Sequence, residues 1–73
     1  MSKYYVKMRI HPKPRSYEFI FDSEISLNDN FKKVVKYLKL KKRKYVFVDD
    51  IRGILLDPNS LMNDGMILYL SIY

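Results

Sequence analysis

Leu27, Phe31, Val34, Val35 and Leu38 recur at spacings of four, three, one and three, which lines them along one stripe of a 3.6-residue helix. Nearly every other apolar residue in the chain belongs to a short run or alternates with a period of two. One amphipathic helix has to bury its stripe against something else, and here that is the apolar face of a sheet. Ser26 precedes the stripe as an N-cap, with Asp29 three residues on in a variant of the capping box, and the acid suits the positive end of the helix dipole. Lys32, Lys33, Lys36 and Lys39 fall on the opposite face, so the helix is apolar inward and basic outward.

The strands follow from period-two alternation. In residues 4–10, Tyr4, Val6, Met8 and Ile10 lie on one face, with Tyr5, Lys7 and Arg9 on the other. His11-Pro12-Lys13-Pro14-Arg15 then turns the chain, because two prolines exclude a helix or a central strand. Tyr17, Phe19 and Phe21 alternate with Ser16, Glu18 and Ile20 in a second strand that pairs antiparallel with the first. Beyond the helix, Tyr45-Val46-Phe47-Val48 is a third strand and Ile54-Leu55-Leu56 a brief fourth, stopped by Asp57-Pro58-Asn59-Ser60. Asn63-Asp64-Gly65 makes a tight turn. A final strand over residues 66–72 sets Met66, Leu68, Leu70 and Ile72 against Ile67, Tyr69, Ser71 and Tyr73.

Seventy-three residues are expected to form a single domain over 1–73. At 48% hydrophobic and 15% aromatic, with two Gly and three Pro, the chain is too apolar for a disordered tail. No apolar run approaches the roughly 20 residues that span a bilayer, and a cytoplasmic protein, nuclear if the source is eukaryotic, is the expectation. Without cysteine there is no disulfide framework, thiol nucleophile or thiolate metal site. His11 is the one histidine, and it lacks a second histidine to complete a zinc shell. Asp49 and Asp50 are adjacent, so on a strand they point to opposite faces and do not form a general acid/base pair. Gly53 and Gly65 stand too far apart for a phosphate loop. An enzyme is not expected, and neither a catalytic residue, a metal nor a cofactor is assigned.

Strand, strand, helix, short strand, edge strand and long last strand resembles the ubiquitin-like β-grasp superfamily over almost the whole chain. Two places carry the resemblance: Val46-Phe47-Val48-Asp49-Asp50 after the helix, and Leu61-Met62-Asn63-Asp64-Gly65-Met66-Ile67 before the closing strand. Together they are similar to the layout of small sulfur carriers, the molybdopterin-synthase small subunit and the thiamine-pathway carrier. Asp49-Asp50 stands where Asn-Gly is usual in those proteins, and Met66 where an Asp is usual. The resemblance implies an α+β fold, a mixed sheet of four to five strands with one helix packed across it. Sulfur carriers and conjugated modifiers act through a terminal Gly-Gly, whereas this sequence closes on Leu70-Ser71-Ile72-Tyr73. The expectation is therefore a noncovalent protein-interaction module. The alternatives are a sulfur carrier or modifier whose Gly-Gly lies beyond Tyr73, and a small basic nucleic-acid-binding protein.

In a β-grasp the sheet face away from the helix is where noncovalent partners usually dock. If Val46 and Val48 point inward, Tyr45 and Phe47 point out beside Tyr5, Ile67 and Tyr69, and those five form the expected partner-binding face. A register that makes Phe47 and Ile67 core stays open, because the last strand is apolar on both sides. The second candidate is the basic patch of Lys32, Lys33, Lys36, Lys39, Lys41, Lys42, Arg43 and Lys44, eight of the chain's 14 cations. It suits an acidic protein or nucleic acid, or serves as a solvated face, with only Tyr37 on its flank to stack a base. Neither a membrane nor a metal is expected as a partner.

Overall fold

The computed structural model describes residues 2–73. The strands β1 (Lys3–Ile10) and β2 (Ser16–Asp22) form the opening hairpin, and the helix α1 spans Leu27–Leu38. Then come β3 (Phe47–Asp49), β4 (Ile54–Leu56) and β5 (Ile67–Ile72). The sheet order is β2-β1-β5-β3-β4. Among the described residues only β1 and β5 pair in parallel, with Tyr5 opposite Ile67 and Ile10 opposite Ile72, and the other pairings are antiparallel. A mixed five-stranded sheet in this order, with one helix across it, is a β-grasp.

The helix forms where its periodicity places it, and Ser26 caps it by accepting from the Asp29 amide at 3.1 Å. Two further N-terminal amides, which a helix leaves without internal partners, donate outward: Leu27 to the Ser60 carbonyl at 3.0 Å and Asn28 to the Pro58 carbonyl at 2.8 Å. The Asp57–Ser60 turn therefore serves as part of the helix cap. Leu27, Phe31 and Val34 are buried, with Val35 and Leu38 half-buried at the margin. They meet Tyr4, Val6, Met8 and Ile10 of β1, Phe21 of β2 and Leu68, Leu70 and Ile72 of β5 in one core. Asn30 is fully buried among them, and its amide group joins α1 to β2. Its Oδ1 accepts from the Asp22 amide at 2.9 Å, while Nδ2 donates to the Asp22 carbonyl at 2.8 Å and the Ser26 carbonyl at 3.1 Å.

Strand β3 departs from the expectation. It starts at Phe47 and its faces are reversed: Phe47 is buried, Tyr45 is half-buried against the core and Val46 is exposed. Phe31 causes the reversal. Its ring meets Tyr45 at 5.0 Å and Phe47 at 5.1 Å, both edge to face. Two aromatic rings bury more apolar area against α1 than two valines would. Asp49 follows Phe47 inward, where its carboxylate accepts from the Ile51 and Arg52 amides at 2.9 and 3.1 Å and holds the turn into β4. Asp50 points the other way.

Candidate functional site

With the inner face covered by α1, the register of the strands determines what the outer face presents. Ile20, Tyr5 and Ile67 are direct neighbours across β2, β1 and β5. They form one row of large apolar side chains, 63%, 42% and 54% exposed. The row lines a shallow depression of about 500 Å³. The next row is Glu18, Lys7 and Tyr69. Lys7 lies 4.0 Å from the Glu18 carboxylate and 5.5 Å from the Tyr69 ring centroid, and Lys3 stands 5.9 Å from that of Tyr5. Both aromatics therefore keep an ammonium group at the ring. In the third row Ser71 is buried beneath Asp50: its hydroxyl donates to the Asp50 carboxylate at 2.8 Å, and Arg9 approaches the same carboxylate at 3.8 Å. The result is an apolar centre bordered on one side by paired charges.

Of the five residues expected on this face, Tyr5, Ile67 and Tyr69 are exposed there together, while Tyr45 and Phe47 lie on the helix side of the sheet and cannot reach a partner docked on it. Ile20 was missed. Its signal is an isoleucine in the polar phase of β2, between Glu18 and the core-facing Phe21, which acquires meaning only once the register sets it beside Tyr5.

The basic residues stand on the other side of the molecule. Lys32, Lys33, Lys36 and Lys39 are exposed on α1, and Lys41, Lys42, Arg43 and Lys44 follow on the exposed connection to β3. Among the described residues, Asp29 is the carboxylate that pairs with this group, 3.2 Å from Lys32. Tyr37 is 76% exposed and meets Phe19 edge to face.

No family model and no curated protein matches the sequence. The chain is similar to a solved structure described by the words "Molecular Mimicry of SUMO promotes DNA repair", with a TM-score of 0.77 and 14% identity over 100% of this chain and 92% of that one. At that identity the shared property is the fold. The chain has the ubiquitin-like β-grasp fold.

Proposed function

We propose that this protein is a noncovalent interaction module that docks another protein on the outer face of its sheet, with Tyr5, Ile20 and Ile67 at the centre and Tyr69 beside them. The observation that supports this reading is the exposed row itself. Three large apolar side chains stand together on adjacent strands although the core on the other face is complete, and contiguous apolar surface on a small protein usually has a role. The lysines at the two tyrosine rings and the Lys7–Glu18 and Arg9–Asp50 pairs provide a polar rim that fixes orientation more than affinity. Lys32 to Lys44 belong to the helix side of the sheet, where Lys33 comes beside Ile20 at the β2 edge, and they are assigned no part in it.

The test is capture of a partner on the immobilised protein, followed by titration of the partner so identified. Tyr5→Ala and Ile67→Ala remove exposed atoms and are expected to leave the melting temperature nearly unchanged. Loss of a central anchor costs about 2 kcal/mol or more, roughly a thirtyfold loss of affinity. That loss should persist at high salt. A partner held equally well by both variants would end the outer-face reading.

A further inference from the structure

The chain reverses direction in a single residue at the end of α1. Lys39 takes the left-handed conformation, φ 54° and ψ 46°, and its amide and that of Leu40 both donate to the Val35 carbonyl. The connection to β3 therefore returns along the helix. Leu40 tucks against the core, and Tyr45 pins the returning segment at three points. Its ring meets Phe31, its hydroxyl donates to the Lys41 carbonyl, and the Arg43 guanidinium lies 4.6 Å from its centroid.

Between the helix and this returning segment is an open cleft of about 740 Å³. Phe31, Val35, Leu40 and Tyr45 make its floor. Lys32, Lys36, Lys39, Lys42 and Arg43 stand around it, and no acidic residue lines it. The volume lies in the range of pockets that enclose a small ligand, on the order of 300–1,000 Å³. It suits a side chain or two with a short piece of backbone.

An apolar floor inside a ring of cations is complementary to a ligand that carries both characters. We infer that this cleft binds an acidic segment of a partner protein through one large apolar side chain. That side chain sits on Val35 and Leu40 beside Tyr45, and the carboxylates flanking it meet Lys36, Lys42 and Arg43. A polynucleotide fits less well. The Tyr45 ring is engaged by Arg43 and Phe31, so the cleft lacks the free aromatic platform on which bases stack. Tyr37, although exposed, does not line the cleft. The site lies on the helix side of the sheet and does not depend on the outer-face reading.

The experiment is an NMR titration of the isotopically labelled full chain with a short glutamate-rich peptide bearing a central Leu-Phe pair. The comparison probes are the same peptide with both apolar residues changed to alanine, and an oligo-dT strand. Saturable amide shifts are expected at Val35, Leu40 and Tyr45 with the Leu-Phe peptide. The alanine peptide should bind at least about tenfold more weakly, as should the Leu-Phe peptide to a Lys36→Glu/Lys42→Glu double variant, whose changes fall on exposed side chains. Tyr5→Ala should bind the peptide as the unaltered protein does, which separates this site from the outer face. Equal binding of the two peptides would reduce the cleft to plain charge attraction and overturn the inference. So would the absence of saturable shifts at about 1 mM peptide. Tighter, steeply salt-dependent binding of oligo-dT at the same residues would replace the inference with a nucleic-acid site.

Discussion

The rings of Phe31 and Phe47 meet edge to face, 5.1 Å between centroids and 83° between planes, each side chain 2% exposed. This contact joins the middle of α1 to the short strand β3, which has few other means of fixing which face points inward. Truncating Phe47 leaves a cavity against a rigid helix. Phe47→Ala should cost about 3–5 kcal/mol of stability, and Val46→Ala, next to it on the exposed face, less than about 1 kcal/mol. Urea unfolding of the two variants measures this, and similar values for both would contradict the orientation of β3.

Asn30 makes three hydrogen bonds from a fully buried position. Asn30→Ala leaves the Asp22 amide and carbonyl without their partner, and an unsatisfied buried group costs about 1–3 kcal/mol. The expected loss lies at or above the top of that range, because a cavity is added. Amide exchange should accelerate first at Asp22 and at the start of α1.

Lys39 occupies a left-handed conformation that costs an L-residue roughly 1 kcal/mol and glycine almost nothing. Lys39→Gly is therefore expected to raise stability by up to about 1 kcal/mol, read as a higher urea midpoint with an unchanged slope. A loss of stability would show that the lysine side chain contributes more than its backbone strain removes.

The hydroxyl of Tyr4 is buried without a hydrogen bond of ordinary geometry, and burial pushes its pKa from 10.0 up to about 12. The unfolded chain releases this proton near pH 10 and the folded chain only near pH 12. Between those values the folded state binds more protons, so stability is intact below pH 10 and falls as pH rises towards 12. Tyr4→Phe should remove this part of the alkaline decline, seen as the difference between the two pH–stability curves. At neutral pH the same change should be neutral or slightly stabilising, since it deletes an unpaired buried polar group.

The parts of this protein legible in its sequence are those governed by local physics. The stripe of α1, the Ser26 cap and the alternation of β1 each rest on residues within a few positions of one another, and a helix or long strand repeats its pattern often enough to be unambiguous. The same alternation put Tyr5, Ile67 and Tyr69 on one face. Strand β3 has no such pattern: it is three residues long and is entered from the unbroken apolar run Tyr45-Val46-Phe47-Val48, so either face could turn inward. Phe31, sixteen positions earlier in the chain, decides the matter, because its ring rewards aromatic neighbours over valines. The neighbours of Ile20 and the cleft behind Lys36 and Lys42 were likewise set by tertiary structure. One depends on strand register across the sheet, the other on a left-handed residue that folds the α1–β3 connection back over the helix, and neither relation exists until distant segments are in contact.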